Sequence, residues 1–106
     1  MERQHDKHLD ELLTHPHILG IENVLFSCKE MKFYEPNSNN IYCEPDLIFF
    51  NGKYHAVEYK ASQEHRHMAI HQLHRAKESI MELWNKTPEL LFVYPMRKGR
   101  YGVEHV

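Results

Sequence analysis

The stretch Glu44-Pro45-Asp46-Leu47-Ile48-Phe49-Phe50-Asn51-Gly52-Lys53-Tyr54-His55-Ala56-Val57-Glu58-Tyr59-Lys60 decides how this chain folds, because it carries two apolar runs joined by a turn. Asn51-Gly52 is a strong hairpin signal, since both residues tolerate the positive φ that tight turns between strands require. Ile41 to Phe50 and Lys53 to Lys60 are therefore expected to pair. Leu47 to Phe50 is apolar without alternation, so that strand should be covered on both faces. On these runs stand a Pro45-Asp46 pair and a Glu58-Tyr59-Lys60 triplet. Residues two apart on a strand point to the same face, so Glu58 and Lys60 project together while Tyr59 points away. Chemically this is an acidic pair suited to a metal ion, with a lysine beside it.

The turn constrains that chemistry. A plain two-residue turn at Asn51-Gly52 would pair Phe50 with Lys53, set Asp46 opposite Val57 and aim its side chain away from Glu58. A shared metal forbids that register. The expectation is a three-residue loop, Phe50-Asn51-Gly52, with Gly52 at positive φ, or else a kink at Pro45-Asp46 that re-aims the aspartate.

Outward from the hairpin, the elements fall in a simple order. His5 to about His15 reads as a helix, with Leu9, Leu12 and Leu13 at helical spacing and Pro16 ending it. Ile21 to about Tyr34 is strand-like, with Val24, Phe26 and Cys28 alternating and a change of phase from Glu30 to Met31 and Phe33 that calls for a bulge or bend. Pro36-Asn37-Ser38-Asn39-Asn40 is a loop. His65 to Trp84 reads as a long helix whose stripe of Ala69, Leu73, Ala76, Ile80 and Leu83 packs on the sheet. Leu90 to Tyr94 is another strand, with room for a short last one over Tyr101 to Val106.

Pro45-Asp46 and Glu58-Tyr59-Lys60 on adjacent strands, with a glutamate-bearing helix before them and an amphipathic helix after, resemble the signature of the PD-(D/E)xK nuclease superfamily. The resemblance covers nearly the whole chain. It implies an α/β fold with the restriction-endonuclease-like core, a central mixed β-sheet flanked by helices in the order α-β-β-β-α-β. It also implies a divalent-metal-dependent endonuclease, similar to small junction-resolving or restriction-like enzymes, that hydrolyses phosphodiester bonds in nucleic acid, with DNA the expected form, and works as a homodimer. Asp46 matches the first acid, Glu58 the second and Lys60 the lysine. Glu11 matches the first-helix glutamate, with Glu2 and Asp10 as weaker alternatives. Ala69-Ile70-His71-Gln72-Leu73 is similar to the helical Ala-x-x-Gln-Leu of several families in the group, which makes Gln72 a further candidate catalytic residue. Where some of those families place a tyrosine four positions later, this chain has Ala76. The implied metal set is Asp46, Glu58, Glu11 and the Tyr59 position, around Mg²⁺ or Mn²⁺.

The chemistry agrees with that set. Hydrolysis of an anionic phosphodiester needs a cation to neutralise developing charge and to acidify the attacking water. Mg²⁺ keeps several of its waters, so one or two carboxylates plus phosphate oxygens complete its shell. Lys60 is placed to orient the water or to balance charge in the transition state.

Composition bounds these expectations. A chain of 106 residues with 42% hydrophobic and 26% charged residues suits one globular domain over 1–106, with target recognition built into that domain or supplied by a partner. No apolar run approaches a membrane span or the core of a signal peptide, so no membrane partner and a cytoplasmic location are expected. Cys28 and Cys43 lack Cys-x-x-Cys spacing and read as reduced thiols. The formal charge of -2 argues against a long basic track, so nucleic-acid contact must be local. The candidates for it are Lys53, Lys60, Arg66, Arg75, Lys77 and the turn Arg97-Lys98-Gly99-Arg100 beside Tyr101.

Two other classes stay open at this point. One is a nuclease-like fold with an incomplete site that only binds nucleic acid or a protein partner. The other follows from the ten histidines: His67, His71, His74 and Glu78 share one helical stripe opposite the apolar face, a spacing that can hold zinc and would make an interaction module.

Overall fold

The computed structural model describes residues 4–106. Its elements are α1 (Gln4–Thr14), β1 (Phe26–Lys29), β2 (Phe33–Tyr34), β3 (Ile41–Cys43), β4 (Leu47–Phe50), β5 (Tyr54–Tyr59), α2 (Arg66–Trp84), β6 (Glu89–Pro95) and β7 (Tyr101–His105). Five strands form one sheet in the order β1-β4-β5-β6-β7, and β2 pairs with β3 in a separate two-stranded ribbon. Within the sheet only β5 and β6 run parallel. A parallel pair needs a long crossover, which α2 supplies.

Alternation along the central strands sorts their side chains into two cores. Leu47, Phe49, Val57, Tyr59, Leu91 and Val93 turn to one face and pack with Leu9 and Leu12 of α1. Ile48, Ala56, Leu90 and Phe92 turn to the other and pack with Ala69, Leu73, Ala76 and Ile80 of α2. A helix therefore covers each face, and Leu47, Ile48 and Phe49 are fully buried, as the unbroken apolar run requires. Truncating one of these leucines to Ala typically costs about 2–5 kcal/mol. The expected α/β class with a mixed sheet between helices is what the chain forms. No helix among the described residues is long and apolar enough to cross a membrane.

Three expectations need correction. The run from Ile21 to Tyr34 is not one strand: pairing begins at Phe26, and Glu30 adopts φ +56°, which ends β1 where the phase changes. β1 is an edge strand, so Phe26 is exposed instead of facing the core. Ile41 to Phe50 is likewise broken, at Glu44-Pro45-Asp46, into β3 and β4. Proline has no N–H for a ladder, and the two interruptions face each other, with Glu30 N–H donating to the Asp46 carbonyl at 2.9 Å. The double break swings the β2-β3 ribbon onto α2, where Phe33 and Cys43 join the core. Lastly, the α2 stripe does not end on Leu83, which is 64% exposed. It continues four residues beyond Ile80 to Trp84, which stacks on Tyr54 at 4.8 Å and meets Phe33 edge-on.

Candidate active site

Register places the two acids. Phe50 pairs with Tyr54 and Leu47 with Val57, so the hairpin loop is the three residues Asn51, Gly52 and Lys53, with Gly52 at φ +101°. The loop has the expected length but begins one residue later than Phe50-Asn51-Gly52. Its start is held by Asn51, whose Oδ1 accepts from Lys53 N–H and hydrogen-bonds the His55 ring, while Phe50 stays in the ladder against Tyr54. Extended by one residue, this register sets Asp46 across from Glu58 rather than Val57.

Asp46 occupies the break before β4, freed from the ladder by Pro45, and its N–H and both carboxylate oxygens each have a partner. Its N–H donates to Glu58 Oε1 at 3.0 Å. Its Oδ2 accepts from Tyr59 N–H at 2.7 Å, and its Oδ1 lies 3.2 Å from His5 Nε2. Glu58 sits mid-ladder on the face turned to α2, a carboxylate in a layer otherwise made of Ile48, Ala56, Leu90 and Phe92. Asp46 is 8% and Glu58 3% exposed.

Two carboxylates so deeply buried cannot both hold charge cheaply. Burial first, and then the Asp46 charge beside it, push Glu58 up to about 9. Burial raises Asp46 too, against the opposing pull of the Tyr59 N–H, His5 and Lys60. Without a cation, burial and the neighbouring charge both favour the protonated form of Glu58. The pair opens on a cleft of about 490 Å³ that Lys60, Gln72 and Arg75 also line. Of the expected catalytic residues, Asp46, Glu58, Lys60 and Gln72 thus meet in one place. Arg75 is turned over the Tyr42 ring and donates to the Tyr42 carbonyl at 3.1 Å.

Family models, curated proteins and solved structures give no match to this chain.

Other expected site residues lie elsewhere. Glu11 is not at the acid pair: it accepts from the Tyr101 hydroxyl at 3.1 Å and lines a separate cleft with His8 and Arg100. Burial and that hydrogen bond push the Tyr101 phenol up to about 12, so it stays a donor. From α1 it is His5 that reaches Asp46. Asp10 pairs with Lys29 at 2.6 Å, and Glu2 lies outside the described residues. The Tyr59 side chain is buried on the α1 face under the stacked His8 ring, so only its main chain faces the acids.

The basic candidates divide in the same way. Lys53 pairs with Glu89 at 2.8 Å at the hairpin end, away from the acids. Arg66 is taken by Glu104, with Nε 2.8 and 3.0 Å from its two oxygens. Arg97, Lys98 and Arg100 are exposed on the turn after β6, at the same end of the sheet where the parallel β5 delivers Glu58 and Lys60. On α2, Glu78 leaves the histidine stripe to accept from the Tyr42 hydroxyl. Among the described residues no group of three or more His, Cys, Asp or Glu side chains is arranged to hold a metal ion.

Sequence reasoning missed His5, although a signal existed: His5, Leu9 and Leu12 follow one helical stripe, which puts His5 on the buried side of α1.

Proposed function

We propose that this protein is a divalent-metal-dependent phosphodiesterase acting on nucleic acid, an endonuclease of the PD-(D/E)xK type. One observation carries the reading: Asp46 and Glu58 are buried side by side in a cleft that also admits Lys60 and Gln72. Burying two acids together costs stability, and they suit a hard cation that needs few protein ligands because water and phosphate oxygens supply the rest. Such an ion neutralises charge on the phosphate and lowers the pKa of the attacking water.

The chain's own groups do the remainder. The Tyr59 N–H and His5 hold the Asp46 carboxylate in one orientation, and Asp46 N–H fixes Glu58. Among the described residues Lys60 makes no ion pair, so its ammonium is free to face the substrate phosphate and the water. Gln72 offers an amide at the same wall, and Arg75 a guanidinium. Cleavage of supercoiled plasmid, junction, flap and single-stranded substrates with Mg²⁺ or Mn²⁺, beside a calorimetric Mn²⁺ titration, tests the reading. Metal-dependent nicking of at least one substrate is expected; no Mn²⁺ binding and no cleavage of any substrate would move the assignment to a non-catalytic binding module.

A further inference from the structure

A second cleft, of about 420 Å³, adjoins the acid cleft and shares Lys60 and Gln72 with it as a common wall. The two differ in chemistry. The first is lined by Glu44, Asp46 and Glu58, whereas the second has no acid and is lined by Lys60, Gln72, His67, His71 and Met68. His67 and His71 are four residues apart and so present their rings on one side of α2, toward Lys60. Both are exposed, and neither makes a hydrogen bond, ring contact or ion pair to another described residue. An imidazole offers a ring N–H whether neutral or charged, so two of them beside an ammonium make a donor set with no competing carboxylate.

We propose that this second cleft binds the backbone phosphate adjacent to the scissile one, with His67 and His71 as its donors and Met68 as the apolar surface beside the attached sugar. This rests on the reading of the acid cleft as a phosphodiesterase site and adds a substrate contact to it. A nucleic-acid strand repeats its phosphates at short intervals, so a strand whose scissile phosphate meets the acids, Lys60 and Gln72 must carry the next phosphate past one side of that wall. The acid-free side accepts it; the acid-lined side repels it. His67 and His71 are thus substrate-positioning groups that leave metal binding to the carboxylates.

The test is a binding cycle on the intact chain, using a fluorescein-labelled oligonucleotide that the protein cleaves, with Ca²⁺ in place of Mg²⁺. The oligonucleotide carries single neutral methylphosphonates scanned across both sides of the cut. The double variant His67→Ala/His71→Ala should bind the unmodified strand about tenfold more weakly, the loss typical of hydrogen bonds to a charged group. One methylphosphonate next to the cut should weaken the native protein by a similar factor and leave the double variant unaffected. The Mn²⁺ titration should be the same in both proteins, and an unchanged melting temperature would show that these exposed positions are not structural. Equal binding by the two proteins, or full methylphosphonate sensitivity in the double variant, overturns the subsite while leaving the phosphodiesterase reading intact. Loss of a zinc or Mn²⁺ site in the variant overturns it in favour of a histidine metal site. If the native protein binds no oligonucleotide while still binding Mn²⁺, the reading beneath the proposal fails, and the subsite with it.

Discussion

At the scale of single residues, the acids and the lysine of the cleft are expected to separate by function. Asp46→Ala or Glu58→Ala removes an oxygen ligand, so Mn²⁺ affinity and cleavage should be lost together. Lys60→Ala should keep Mn²⁺ binding while cleavage falls by about 10²-fold or more, as when a group stabilising transition-state charge is removed. Full activity in Lys60→Ala, read in the same nicking assay, would remove the lysine from the mechanism. Glu58 also makes a prediction independent of activity. A carboxyl whose folded-state value is raised holds its proton more tightly folded than unfolded, so its stability cost is absent below the ordinary range near 4.5 and grows as pH rises toward about 9. Glu58→Gln keeps an oxygen for Asp46 N–H and removes the ionisation. Without metal, its melting temperature should exceed that of the native protein by about 5 °C or more above about pH 8 and converge with it below about pH 5. A constant difference across that range would show that Glu58 is not held protonated. Glu58 and Lys60 were legible in the sequence because strand parity puts residues two apart on one face, and Asp46 was legible only with the change of register expected at the turn. The partner His5 was not, because its contact with Asp46 spans 41 positions and depends on where α1 lands.

At the scale of elements, what was legible follows from local signals, and what was not follows from pairing. The apolar run Leu47–Phe50 and the Asn51-Gly52 turn announced the hairpin, and the stripe Ala69, Leu73, Ala76 and Ile80 announced α2. The breaks at Glu30 and at Pro45-Asp46 left only hints, a phase change and a proline, because each is stabilised by the other across the ladder. That pair of breaks is what frees Asp46 to turn onto the backbone of β5. The loop length matters as much, since it sets the register that puts Asp46 across from Glu58. Gly52, at φ +101°, holds that loop, and a Cβ there would meet no atom within 4 Å, so substitution strains only the backbone. Gly52→Ala should cost about 1–2 kcal/mol in urea unfolding. Mn²⁺ affinity should stay unchanged, because the loop lies at the far end of the strands from the acids. No loss of stability would contradict a left-handed residue at this turn.

Over the whole molecule, charge would decide how a chain of formal charge -2 grips the polyanionic substrate proposed for it. Its cations are not equivalent. Lys53 and Arg66 already face Glu89 and Glu104, so their charge is largely answered within the fold. Lys60, Arg75, Arg97, Lys98 and Arg100 stand at the end of the sheet that bears the acids and lack a carboxylate partner among the described residues. Each phosphate neutralised releases counterions and steepens the fall of log affinity with log salt by about 0.9 on duplex or 0.7 on single strands. Five such contacts, one from each of these cations, correspond to a slope of roughly 4. Replacing Arg97, Lys98 and Arg100 together by Ala should lower the slope by about 2–3, while Lys53→Ala should leave it where it was. Anisotropy titrations in Ca²⁺ over a range of KCl concentrations measure both. A native slope far above that value would call for cations beyond these five, from elsewhere on the chain or from a second copy of it; an equal drop in the Lys53→Ala variant would place the strand along the hairpin end instead of across the acid cleft.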